Sequence, residues 1–465
     1  MGPADPTPAV RLAERLRALG DRLLAAQRGV RVLEALRWDE RVERDFLAHD
    51  GRELPRVTAD TYRPLPFDPE RKDRELAGLQ ADVRRSLGDR DGLGRLLARR
   101  CREFRAVVRL LAARGRPAFA RLSRELYGTT LDDGDLVGEL QRLMAGWVAP
   151  NPPAPFPQRE GGAQGQSRGG WVRRPALGPG SPPSLVGKGA GGFGETGFGE
   201  RLPSPHAASV LAHRLSLYFH REAPILIRLV GGLLADAMAD GGALKLRCDA
   251  QFSPEDLRLL EVHEGWVHLG TTLNARRQSA CAFLSKGPPA ATRTQEGLAV
   301  LMEFLTGVAH PTRVRRLLLR TRAVALAERG ADFREVFRLF RDAGDPPRES
   351  FHHTARVFRG SRPDAGPFTK DLCYGQGLLE VWRGVRAALA AGRSAELALL
   401  FCGKTVLDEL PALAELRDAG LLRAPEYLPP PFTDPGDLAE RVALLPALTL
   451  PPIATRGPTG LRRRV

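Results

Sequence analysis

The sequence predicts a mainly helical α+β protein with a small sheet just ahead of its chemically richest segment. Three observations lead there. Apolar residues recur at helical spacing along most of the chain, as in Leu12, Leu16, Leu19, Leu23 and Leu24. Two short runs between 225 and 248 have strand character instead. Hydrophobic residues make up 43% of 465 positions, enough for a large buried core.

Residues 1–148 read as a helical region that packs on the larger region C-terminal to it. Leu96, Leu97, Phe104, Val107, Val108 and Leu111 continue the helical spacing. A further helix is expected over 132–147, with Asp132 or Asp133 as its N-cap. Between them, Tyr62-Arg-Pro-Leu-Pro-Phe-Asp-Pro is too proline-rich for a regular element and reads as an extended connector. Residues 149–204 contain NPPAPFPQREGG, GPGSPPS and GKGAGGFGETGFGE. That density of glycine and proline cannot bury a core, so a flexible insertion is expected. GKGAGG is no phosphate loop, because no strand leads in and no Gly-Lys-Ser/Thr ends it.

A second region is expected over 205–450. Residues 207–221 read as a helix, and 225–229 as a short buried strand. Residues 243–248 alternate apolar and polar, which suits a strand with one wet face. Ser253, Pro254, Glu255 and Asp256 then open a helix with an N-cap, a first-position proline and acids in the first turn. That helix runs through residues 263–268. Another spans 294–308, and several more extend to about 395. Residues 451–465 read as a loose basic tail.

Composition narrows the function classes. No apolar run is long enough to span a membrane, and MGPADPTPAVRLAERLRALG does not read as a secretory signal. The formal charge is +15, yet only six of the 70 basic residues are lysine. This arginine-heavy usage looks like a coding bias, and no nucleic-acid module accompanies it. Nucleic acid is therefore not the expected partner, although a basic surface favours an acidic substrate. Cys101, Cys248, Cys281, Cys373 and Cys402 are odd in number and widely spaced, so a reducing cytoplasm fits better than a disulfide framework.

The chemistry lies in two short motifs. His263-Glu264-Gly265-Trp266-Val267-His268 resembles the helical zinc motif His-Glu-x-x-His, lengthened by one residue. On an α-helix, histidines five apart diverge by about 140°, too far for one metal; on a π-type turn they close to about 50°. A local π distortion is therefore required, and Gly265 would ease it. Gln295-Glu296-Gly297-Leu298-Ala299 supplies a carboxylate at the start of the next helix, where a His2Glu site needs its third ligand. Taken alone, an acid in a first helical turn is ordinary.

The runs HEGWVHLGTTLNARRQ and GPPAATRTQEGLAVL together resemble the QEGLA-motif family. Its bacterial members are labelled flavohaemoglobin-expression-modulating proteins. Its animal relatives are microtubule-associated tyrosine carboxypeptidases, which remove the C-terminal tyrosine of α-tubulin. Softer matches are TYRPLPFDPE, SRELYG, ARVFRG and GPFTKDLCYGQGLLEVWRG. The resemblance implies one Zn2+ per chain held by His263, His268 and Glu296, with Glu264 catalytic. It also implies a zincin-like metallopeptidase domain and a peptide or protein C-terminus as substrate.

The expected reaction is hydrolysis of a peptide bond by a water that zinc acidifies and Glu264 deprotonates. Arg359, Lys370 and Tyr374 are candidates for binding the substrate's oxyanion or terminal carboxylate. Asn274 and Gln278, just past the metal motif, are candidates for supporting the ligands. Two other readings use the same residues: a zinc amidase acting on a non-peptide substrate, and a regulatory binding protein with a structural metal site. Glu264 argues against the last, because a structural site has no use for a base beside its ligands.

Overall fold

The structure, a computed structural model, describes residues 8–88, 92–131, 135–147, 201–220 and 225–445. The N-terminal region holds α1 (Pro8–Ala26), the single turn α2 (Val32–Ala35), α3 (Glu40–Ala48), α4 (Pro69–Leu87), α5 (Gly92–Ala112), α6 (Ala118–Tyr127) and α7 (Leu136–Trp147). The proline-rich connector ends where Asp68 accepts a hydrogen bond from Arg71 N, with Pro69 at the first helical position. Such a cap starts α4 sharply. The proposed caps Asp132 and Asp133 lie outside the described residues; Asp135 Oδ1 accepts from Gly138 N at 2.8 Å at the start of α7.

The expected insertion falls outside the described residues over 149–200, and so does the 451–465 tail. The upper boundary at 204 is corrected. Leu202–Pro203 form strand β1, paired antiparallel with β5 (Gln251–Phe252), and Ser204 opens α8 (Ser204–Tyr218). The Ser204 hydroxyl is fully buried against the carbonyls of Arg247 and Ala250, which fixes this entry point.

A three-stranded sheet comes next, in the order β2 (Leu226–Val230), β4 (Ala243–Arg247), β3 (Ala237–Asp240). β2 runs parallel to β4 and β3 antiparallel to it. Strand β3 was not expected, because Ala-Met-Ala-Asp carries little strand propensity and is held by pairing. The expected wet face of β4 is also corrected. As the central strand it is covered on both sides, and Arg247 is buried between Asp236, Glu349 and His352.

The chain then turns helical. It forms α9 (Pro254–Leu260), a π-helix (Glu261–Leu269), α10 (Gly270–Arg276), α11 (Pro289–Leu305), α12 (Pro311–Glu328), α13 (Phe333–Asp342) and α14 (Pro347–Phe358). It continues with α15 (Leu372–Ala390), the short α16 (Ser394–Leu397), α17 (Leu410–Asp418) and α18 (Pro435–Leu444). One cluster of buried side chains draws on Leu16, Leu97 and Leu140 from the N-terminal helices and on Leu298, Val324 and Trp382 from the later ones. The two regions thus share a core. Among the described residues no helix is long and apolar enough to cross a membrane.

Candidate metal centre

Ser253 caps α9 in a full capping box with Asp256, and the helix then widens rather than ending. Residues Glu261–Leu269 form the π-helix, with Gly270 N donating to Gly265 O. The wide turn brings the two imidazoles together, their ring centroids 4.9 Å apart and their planes at 79°. Gly265 has a different reason from the one expected. A Cβ there would come within 2.4 Å of Leu215 on α8, so glycine lets the π-helix pack on α8.

Glu296 arrives from α11, which crosses α15 so tightly that a Cβ on Gly297 would sit 2.1 Å from the carbonyl of Gly377. The two glycines set this close approach. It brings Glu296 Oε2 to 3.5 Å from Nε2 of both His263 and His268. One ligand atom from each of the three residues lies within 4.8 Å of the others. A tetrahedral shell with bonds near 2.0–2.2 Å places its ligand atoms about 3.3 Å apart. Glu296 Oε2 is buried and has no hydrogen-bond partner, so these residues fit a His2Glu metal site with one position open.

The site's surroundings orient each group. His263 Nδ1 lies 2.7 Å from Glu303 Oε1, which directs Nε2 toward Glu296. Arg313 donates to both oxygens of Glu303, at 2.9 and 2.7 Å. Burial opposes ionisation of Glu303, but Arg313 and His263 outweigh it and hold its pKa down at about 2. Burial likewise opposes charge on His263; Glu296, Glu303 and Glu264 prevail and raise its pKa to about 9. Glu296 is kept well below the usual carboxylate range, against burial, by Lys370 and the two histidines. Glu264 sits beside the triad, with Oε1 4.0 Å from His263 Nε2 and Oε2 accepting from Ala239 N on β3 at 2.7 Å. The unexpected strand thus positions the expected base.

Three candidates from the sequence have partners that change their roles. Lys370 Nζ lies 3.4 Å from Glu296 Oε1 and orients that carboxylate. Asn274 and Gln278 do not support the ligands. Asn274 bonds the backbone of Phe401 and Tyr427, and Gln278 that of Arg423, so both tie the C-terminal segment to α10.

Tyr374 is placed at the site. Its ring is stacked on His263 at 6.3 Å and 22°, and its hydroxyl lies against the Arg356 guanidinium. Burial pushes its pKa up, so the phenol keeps its proton. Arg359 is not brought into contact with the triad. It is buried over the Phe368 ring, with Nε lacking a partner, and lines a cavity of about 670 Å³ with Trp38 and His352.

Sequence reasoning missed Glu303, Arg313, Arg320, Arg356 and Asp371. One signal was available for Glu303: a lone carboxylate inside the apolar run LAVLMEFL, where only a functional or paired charge survives.

Among curated proteins none matches the chain. A family model described as microtubule-associated tyrosine carboxypeptidase matches residues 44–142 and 198–449, which include every residue of this centre. The chain belongs to the microtubule-associated tyrosine carboxypeptidase family.

Proposed function

We propose that the chain is a zinc-dependent carboxypeptidase with a zincin-like catalytic region, releasing the last residue of a peptide or protein. The observation that carries this reading is the convergence of His263, His268 and Glu296 with Glu264 alongside. The two imidazoles and the Glu296 carboxylate would hold Zn2+, which when bound supplies a Lewis acid for the scissile carbonyl and acidifies water. The remaining roles fall to the chain. Glu264 takes a proton from the attacking water and passes it to the leaving amine, held in place by the Ala239 N–H. Tyr374, protonated and backed by Arg356, donates to the developing oxyanion. Lys370 and Glu303 keep Glu296 and His263 in their orientations.

The terminal carboxylate calls for a cation that no acid already holds. Arg320 and Arg359 are such cations. Both are buried, and neither has an ion pair within 4 Å among the described residues. Arg320 lies over the Tyr374 ring at 5.7 Å, so we assign the carboxylate to Arg320 first and Arg359 second. An acidic residue ahead of the cleaved one would also suit this field. All five cysteines are free, which suits a reducing cytoplasm.

The test is release of the C-terminal residue from peptides that end in tyrosine or another residue, preceded by acidic or neutral ones. Glu264→Gln should lower the rate about a hundred- to ten-thousand-fold with zinc content unchanged. Zinc-loaded wild type that leaves every peptide intact, or a fully active Glu264→Gln protein, would overturn the reading. Cleavage of acylated amino acids but of no peptide would identify an amidase instead.

A further inference from the structure

Lys404 has no part in the proposed chemistry, yet its side chain ends between the two metal-bearing helices. Its Nζ lies 2.9 Å from the carbonyl oxygen of His268, 2.9 Å from Thr271 Oγ1 and 3.3 Å from Gln295 Oε1. The first acceptor belongs to a candidate ligand itself, at the C-terminal end of the π-helix. The second lies one turn further on. The third belongs to the residue immediately before Glu296. An ammonium has three donors, and here each one has an acceptor. No carboxylate lies within ion-pair distance of it among the described residues, so the contacts are directional rather than a charge pairing.

The backbone around Lys404 is fixed on both sides. Its N–H donates to Leu284 O at 2.8 Å, and its carbonyl accepts from Arg100 Nη2 at 2.8 Å. Gly403 packs so closely on Leu284 that a Cβ would come within 2.7 Å of it, and its carbonyl faces Gln295 Nε2 at 3.4 Å. Thr271 Oγ1 and Gln295 Oε1 are themselves 2.8 Å apart, which closes the loop between the helices. The lysine therefore reaches the site from a rigid base.

A wide helical turn is a locally unfavourable structure that persists only where its surroundings hold it. The His268 carbonyl also accepts from the Thr272 hydroxyl at 2.7 Å. We propose that Lys404 is a positioning residue for the metal centre: it clamps the end of the π-helix to α11, and so fixes His268 relative to Glu296. The inference rests on the metal-centre reading. It also explains the residue type. A planar guanidinium cannot direct three donors at three acceptors grouped around one point, whereas a compact ammonium can. In a chain that uses arginine almost throughout, this is one of only six lysines.

The experiment measures zinc affinity by chelator competition, together with the visible absorption spectrum of the Co2+-loaded protein. It compares the full-length wild type with Lys404→Met, Lys404→Arg and the isosteric Thr271→Val. The clamp predicts an affinity loss of about ten- to a hundred-fold for Lys404→Met, with an altered Co2+ spectrum. It predicts a loss of similar size for Lys404→Arg, which keeps the charge but not the geometry. Thr271→Val should show a smaller loss in the same direction, and it decides the matter if Lys404→Met does not fold. Wild-type affinity and spectrum in the folded variants would overturn the clamp while leaving the metal centre standing. Full rescue by arginine would overturn it too, in favour of a purely electrostatic role. A wild type that binds no zinc would overturn the metal reading itself and the clamp with it.

Discussion

Two buried polar clusters in this protein look alike and differ in one respect. The first centres on Arg100, fully buried on α5. Its guanidinium bonds both oxygens of Glu409 and the carbonyls of Phe283, Lys286 and Lys404. Glu409 also accepts from Arg99 and from Val406 N. Every polar atom of the Arg100 and Glu409 side chains is paired, while Arg99 Nε, at the edge, has only Glu103 Oε1 at 3.9 Å. The second lies around Tyr374, where Arg356 is paired with Asp371 but Arg320 and Arg359 keep unpartnered Nε atoms. Burial and the neighbouring Arg356 lower their pKa values to about 9 and about 10. Complete pairing of Arg100 with Glu409 marks the first cluster as scaffold. The unpartnered guanidinium atoms of the second are what the proposed binding of a substrate carboxylate would complete.

The largest expected effect comes from breaking the closed cluster. Arg100→Met removes the buried cation that bonds both Glu409 oxygens, leaving that carboxylate to Arg99 and Val406 N, and should cost about 3–5 kcal/mol of stability, read from denaturant unfolding. A loss below about 1 kcal/mol would mean that the cluster does not hold the N-terminal helices to the rest.

The open cluster should respond the other way. Arg320→Met removes a buried charge that has no ion pair within 4 Å among the described residues, so stability should change by less than about 1 kcal/mol in either direction. Its effect belongs in the kinetics: KM for a peptide with a free C-terminus should rise about ten-fold, with little change for the amidated or neutral analogue. A large stability loss without a KM change would make Arg320 scaffold as well, and the contrast between the clusters would disappear.

The smallest effect concerns a part-exposed carboxylate and its two arginines. Asp73 accepts from Arg105 and Arg109, which lower its pKa despite partial burial. A depressed carboxylate contributes stability above its unfolded value, near 3.9, and loses that contribution as pH falls through the folded value. Asp73→Asn should therefore cost under about 1 kcal/mol at pH 7. The difference from wild type should begin to shrink as pH falls below about 4, vanish only below the folded pKa, and shrink in high salt. A difference that neither shrinks on acidification below about pH 4 nor responds to salt would point to packing instead of charge.

The fold was legible where local signals are strong. Helical spacing announced α1, α5 and the later helices, and the Ser253-Pro254 start announced α9. Strand β3 was not legible, because its four residues are strand only by pairing with β4. The helix α4 was hidden behind its proline-rich approach. At the centre, the five-residue spacing of His263 and His268 by itself demanded a π turn, and the structure has one. The misassigned supports, Asn274 and Gln278, show the limit of arguing from nearness in sequence. They adjoin the motif along the chain but face a different segment in space.

The sequence by itself determined the three residues that converge as candidate metal ligands, the carboxylate beside them and the irregular turn that brings them together. These arise from residue chemistry and from angles along one helix, which are local properties. Only the tertiary structure decided which groups hold them: Glu303 behind His263, Lys370 on Glu296, Ala239 on Glu264 and Lys404 between the helices. The last reaches His268 across 136 residues of chain. Such partners are selected by packing, and by the need of each buried polar group for a mate, and neither leaves a pattern along the chain.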